Sequence, residues 1–329
     1  MTPIITVSDL RKHFKVNKHH RGGMGALRNL FMREVQLVRA VDGISFDVQA
    51  GELVGYLGPN GAGKSTTLKM LTGLLVPTSG ELRSNGHVPW RERKTYVARI
   101  GAVFGQRSTL WWDLPVIESL DLLQHIYRIE PVRFKRNLDE FIELLEMQPF
   151  INTPVRSLSL GQRMRADLCA ALMHNPDLLF LDEPTIGLDV VAKERMRQFI
   201  RHVNRERGTT VLLTTHDLSD VEKLCERVII IDHGRLLYDG ALSTLRDRFG
   251  GKRELVVDFA EDYADVSIAG AAVASREGPQ AVYQFTREAI SASELISALS
   301  ARYRIRDLSV REPDIEDTVR RIYEERLLE

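Results

Sequence analysis

The sequence predicts an α/β protein, a mainly parallel sheet carrying an inserted α-helical subdomain, followed by a small separate α+β domain. Three observations predict this. Strand-like apolar runs alternate with helical patterns between residues 53 and 240, the alternation that builds parallel sheets. Leu178, Leu179, Phe180 and Leu181 are apolar without a break, as in a strand covered on both faces. Beyond about Gly240 the pattern changes, and Gly250-Gly251 reads as a linker.

Along the chain, residues 4–7 read as a short strand. A basic segment follows, with Arg11, Lys12, Lys15, Lys18, Arg21, Arg28, Arg33 and Arg39 against the single acid Glu34. Within it, the apolar positions of residues 26–38 fit one face of a helix. Residues 41–48 and 53–57 are strands, 64–71 a helix stopped at Gly73, 77–80 a turn and 100–103 a strand. From about 117 to 173 the pattern is mostly helical. Met196, Phe199, Ile200 and Val203 then form the stripe of an amphipathic helix. Residues 210–214 and 228–232 are further strands. In the C-terminal part, 254–259, 282–285 and 305–310 read as strands, and 290–303 and 315–325 as helices.

The chain has 329 residues, 43% of them hydrophobic, enough for a large buried core. Lys+Arg and Asp+Glu both total 45, and this balance argues against a dedicated nucleic-acid binder. Cys169 and Cys225, the two cysteines, have neither disulfide nor metal spacing and read as apolar core residues of a reducing compartment. No stretch approaches the ~20 apolar residues of a membrane span, and the N-terminus lacks a signal-peptide pattern. A soluble or peripheral protein is expected.

Gly58, Pro59, Asn60, Gly61, Ala62, Gly63, Lys64 and Ser65 match G-x-x-x-x-G-K-[ST] between a strand and a helix. Glycines let backbone N–H groups close around phosphate oxygens where a Cβ would intrude. The helix that follows, with Thr66 in its first turn, points its positive end at the anion. Lys64 brings a mobile charge to the β- and γ-phosphates, and Ser65 a hydroxyl to Mg²⁺. The apolar run at 178–181 ends in Asp182 and Glu183, the first suited to a metal contact and the second to polarising a water. Ser159, Gly161 and Gln162 open a helix and form a second anion seat. One P-loop has no use for two seats, unless one copy's seat covers the other copy's nucleotide.

These residues together resemble the ABC ATPases, over about residues 1–240. Leu158-Ser159-Leu160-Gly161-Gln162-Arg163 is similar to that family's LSGGQ signature, Gln106 to its Q-loop glutamine, Gly187-Leu188-Asp189 to its D-loop and His216 to its switch histidine. Phe14 resembles the aromatic that stacks on adenine. The resemblance implies a P-loop core with an antiparallel β subdomain, and two copies sandwiching two Mg-ATP molecules head to tail. It implies that Lys64 neutralises phosphate charge, that Ser65 and Asp182 hold Mg²⁺, the latter directly or through water, and that Gln106 links Mg²⁺ to the helical subdomain at about 107–173. Glu183 then activates the attacking water and His216 contacts the γ-phosphate. Within the family, the chain looks like the ATPase subunits of drug and antibiotic exporters. That implies a peripheral position on the cytoplasmic face of the membrane, separate permease subunits and a second ATPase subunit as partners. An importer ATPase shares every motif, and a non-transport ABC ATPase is the other open alternative. Residues 241–329 look like an accessory or regulatory extension.

Two features depart from the family pattern. Leu160 stands where the signature has a glycine, so its bulk is expected to face away from the phosphate. The basic segment, about 16–38, replaces a short turn, and is either a solvated surface element or a basic helix touching anionic lipid or the permease. Trp111 and Trp112 are expected either to dock a permease helix or to join the core.

Overall fold

The computed structural model describes residues 3–17, 35–105, 108–249, 252–286, 289–311 and 315–325. The chain divides into two compact units, residues 1–240 and 241–329.

In the first unit, β1 (Ile5–Asn17) and β2 (Val35–Val48) form a long antiparallel hairpin. β3 (Leu53–Leu57) leads through the P-loop into α1 (Lys64–Leu71). β4 (Ser79–Ser84) pairs with β1 to give a three-stranded sheet of order β2-β1-β4. Then come α2 (Arg93–Val97), β5 (Ile100–Phe104), α3 (Val116–Tyr127), α4 (Pro131–Leu144) and α5 (Leu160–Leu172). The remaining elements are β6 (Leu178–Asp182), α6 (Val190–Arg207), β7 (Thr210–Thr215), α7 (Leu218–Leu224), β8 (Arg227–Asp232) and β9 (Arg235–Ala241). The main sheet has the order β5-β6-β7-β3-β8-β9, with β5, β6, β7, β3 and β8 parallel to one another.

The core follows from the sequence pattern. All four apolar residues of β6 are buried: β5 and β7 flank it, and Leu178 and Phe180 share one core with residues of β1, β2 and α1. Each such side chain stabilises the fold by about 1.5–3 kcal/mol. The stripe Met196, Phe199, Ile200 and Val203 on α6 is wholly buried, as are both cysteines. Gly101 lets α5 lie against β5, since a Cβ there would stand 2.4 Å from the Ala171 carbonyl oxygen.

The hairpin corrects the expected short first strand. β1 runs to Asn17, and residues 35–38, expected on a helix, belong to β2; residues 18–34 of the basic segment lie outside the described residues. Strand character is hidden because this end carries Lys12, His13 and Lys15 beside the exposed Phe14 and Val16, and bulges break the period of two. Ser79 and Gly80, expected in a turn, open β4.

The second unit holds α8 (Leu242–Phe249), β10 (Arg253–Phe259), β11 (Ala272–Glu277), β12 (Gln280–Phe285), α9 (Ala292–Arg302), β13 (Ile305–Arg311) and α10 (Ile315–Glu325). Its antiparallel sheet has the order β11-β12-β10-β13. Leu295 and Leu299 of α9 pack on Leu255, Val257 and Phe259. A capping box between Ser291 and Glu294 starts α9.

Candidate functional site

β3, β6 and β7 lie side by side, and the three loops at their C-terminal ends bring the predicted residues together. Such an edge is where ligands bind in open α/β sheets. After β3 the chain turns through Gly58–Gly63, and Gly63 begins α1 with φ 109°. No side chain caps this helix, so its first N–H groups point into the loop.

The P-loop leans on β2. A β-bulge at Ala40 breaks the register between the pairs Lys12–Val41 and His13–Arg39. The Ala40 carbonyl is thereby turned onto Gly63, where a Cβ would stand 2.5 Å from its oxygen. At Gly58 a Cβ would stand 2.6 Å from the Ile231 carbonyl oxygen. Pro59, Asn60 and Gly61 form the exposed lip, Ala62 is buried, and Thr66 is half-buried.

Lys64 is buried, and its ammonium donates to the carbonyls of Gly58 (2.6 Å) and Pro59 (3.2 Å). It lies 3.9 Å from Glu183 Oε1. Burial pushes its pKa below the usual lysine value, while the charges of Glu183 and Asp182 pull the other way. Ser65 Oγ donates to Asp182 Oδ1 at 3.2 Å. Thr214, from the end of β7, donates to the same oxygen at 2.6 Å.

Glu183 has φ 53°, a left-handed conformation rare for a residue with a side chain. Its N–H donates to the Thr214 carbonyl at 3.0 Å. Its carboxylate meets His216 Nδ1 at 2.7 Å. Asp217, next to His216, caps α7 and pairs with Lys193 at 2.6 Å. Burial disfavours its charge, but the hydrogen bonds from Lys193 and Ser219 prevail and hold its pKa at about 2.

Lys64 and Ser65, Asp182 and Glu183, and His216, from three segments distant in sequence, thus share one mouth. A cation, a hydroxyl, two carboxylates and an imidazole around a helix N-terminus can bind a polyphosphate and polarise a water beside it.

The curated comparison agrees. NatA, an ABC transporter ATP-binding protein of Bacillus subtilis, is 34% identical over 215 residues, which are 65% of this chain and 87% of NatA. This chain belongs to the ABC transporter ATP-binding family. The family profile itself matches residues 41–186. A Nod factor export ATP-binding protein of Ralstonia nicotianae is 32% identical over 265 residues, 80% of this chain and 74% of that protein. Among solved structures, the dimeric post-hydrolysis state of an ATP-binding cassette bound to ADP and Pi aligns with a TM-score of 0.59 at 27% identity. That alignment covers 72% of this chain and 98% of the cassette. As an ABC ATPase the chain binds and hydrolyses ATP to drive transport.

The other predicted residues of this ABC ATPase lie as follows. Ser159 caps α5 and forms a capping box with Gln162: the Ser159 N–H donates to Gln162 Oε1 at 2.9 Å, and the Gln162 N–H to Ser159 Oγ at 3.2 Å. Gly161 has ordinary contacts only, to Leu188 and Ala192. Leu160 extends to Gly187, where a Cβ would stand 2.8 Å from Leu160 Cδ2. Its bulk is therefore spent on the D-loop. Phe14 sits on β1 opposite Val38, 36% exposed, with Lys12 Nζ 5.2 Å from its ring centre. Gln106 lies outside the described residues. Its flanks are held, however. Gly105 fits under the Asp182 and Glu183 carbonyls with no room for a Cβ, and Asp167 of α5 accepts hydrogen bonds from Ser108 Oγ and the Thr109 N–H, both at 2.8 Å. Burial raises the Asp167 carboxyl above the usual range against the pull of those bonds. Trp111 and Trp112 are both exposed, and Arg163 lies over the Trp112 ring at 5.6 Å.

Sequence reading missed Thr214 and Asp167. Thr214 closes a β-branched strand and looks like any strand residue. Asp167 had one available signal, a lone acid among apolar neighbours on a buried helix.

Proposed function

We propose that this chain is the ATP-hydrolysing subunit of an exporter with separate permease subunits, working as a pair of copies. The observation that carries the reading is the 2.7 Å contact between Glu183 and His216 beside the Lys64 ammonium. In this reading the P-loop N–H groups and the α1 N-terminus seat the phosphates, and Lys64 neutralises their charge. Glu183 orients the attacking water and accepts its proton, and His216 contacts the γ-phosphate. Ser159, Gly161 and Gln162 of a second copy cover the nucleotide, and Phe14 stacks on adenine.

Ser65 Oγ and Asp182 Oδ1 are hard oxygen donors side by side at 3.2 Å, and so fit Mg²⁺. They would hold it with Gln106, and the ion when bound supplies charge neutralisation on the phosphate oxygens. Gln106 joins the site to the helical subdomain, so nucleotide state moves that subdomain.

Export is supported by the Nod factor export relative. No helix among the described residues is long and apolar enough to cross a membrane. A peripheral position on the cytoplasmic face, with Trp111 and Trp112 toward a permease, suits that. Residues 1–240 serve as the ATPase domain and 241–329 as an accessory domain. Co-purification from detergent-solubilised membranes tests this reading. Multi-span permease subunits should accompany the chain, and recovery without any membrane partner contradicts it. Recovery with a periplasmic binding protein alongside would indicate import instead.

A further inference from the structure

Asp220 is fully buried on α7, four residues beyond His216. One carboxylate oxygen accepts from Arg197 Nε at 2.7 Å. The other accepts from Thr185 Oγ, two residues beyond Glu183. Arg197 lies on α6, the helix that follows the D-loop, and is itself buried. Thr185 is buried too. A single buried charge pair therefore joins the loop after Glu183, the helix after His216 and the helix after Asp189.

The proposed chemistry needs this junction because Glu183 is strained. A non-glycine residue at φ 53° persists only where the surroundings over-determine it. Before the strained bond the chain is held by the Glu183 N–H on the Thr214 carbonyl. Beyond it, the Thr185 hydroxyl on Asp220 is the side-chain anchor. Asp220 also fixes α7, and so the distance from His216 to Glu183.

We infer that Asp220, held by Arg197, is a positioning residue that keeps Glu183 in its left-handed conformation and in register with His216 through Thr185. The inference rests on the proposed roles of Glu183 and His216. Removing one member of a buried ion pair endangers folding, so the test is made at the neutral hydroxyl.

In the full chain, Thr185→Val keeps the shape and removes the donor. Its kcat should fall between about tenfold and a hundredfold, the cost of a small misplacement of a reacting group. The ATP Kd should stay near wild type, the thermal midpoint should fall by only a few degrees for the Asp220 oxygen left unpaired, and Thr185→Ser should restore both midpoint and turnover. In a Glu183→Gln background Thr185→Val should lower the residual rate no further, because it acts through Glu183. Thr185→Ala serves if Thr185→Val does not fold. Wild-type kcat in the folded variant overturns the inference, as does a further loss in the Glu183→Gln background. If Glu183→Gln is inactive while Thr185→Val is fully active, only the positioning role falls. If Glu183→Gln itself turns over normally, the reading of the site falls first.

Discussion

At Gly63 the backbone leaves no room for any side chain. Its φ of 109° and the Ala40 carbonyl at 2.5 Å from a would-be Cβ act together. Gly63→Ala should abolish ATP binding and destabilise the fold by about 1–3 kcal/mol, measurable by nucleotide titration and denaturant unfolding. Asp217 gives a pH signature. Its folded pKa of about 2 lies below the ordinary 3.8, so its contribution is complete above pH 3.8 and disappears as pH falls through about 2. Asp217→Asn keeps the helix cap but loses the Lys193 pair. The stability gap between wild type and this variant should be constant at neutral pH and narrow below 3.8, as read by thermal unfolding. At this scale the site was legible because phosphate chemistry restricts residue types sharply. Thr185, Thr214 and Asp220 were not, since ordinary strand, turn and helix positions also use these residues.

Among elements, α5 shows how a departure from the family pattern is absorbed. Leu160 packs on Gly187, so the leucine joins the signature helix to the D-loop. Leu160→Gly should destabilise the chain by about 1 kcal/mol without abolishing ATP hydrolysis. Ser159→Ala breaks the capping box and should cost about 1 kcal/mol in denaturant unfolding without nucleotide. β6 and α6 could be read from sequence because burial on both faces, or on one stripe, leaves a clean apolar pattern. β1 and β2 could not be read at full length. Their outer ends carry Phe14, Val16, Leu37 and Val38 exposed among lysine and arginine, and bulges break the period of two. The helix expected through residue 38 failed for this reason. β9 and β11 went unread as well, since β11 is exposed along its whole length and has no buried face to impose alternation.

For the whole molecule, each unit has its own buried core. A chain ending at residue 240 should therefore still bind ATP, with an affinity within a few-fold of the full chain in equilibrium titration. Loss of binding on truncation would show that the second unit is needed to form the site. Strands 53–57, 178–182 and 210–215 are near neighbours in the sheet and remote in sequence, which is how the nucleotide mouth comes together. In the proposed mechanism Glu183 activates water in an otherwise complete ATP site. ATP binding and steady-state hydrolysis measured together on Glu183→Gln test it most directly. ATP affinity should stay close to wild type with turnover reduced by at least about a hundredfold; wild-type turnover in that variant would rule out Glu183 as the group that activates water.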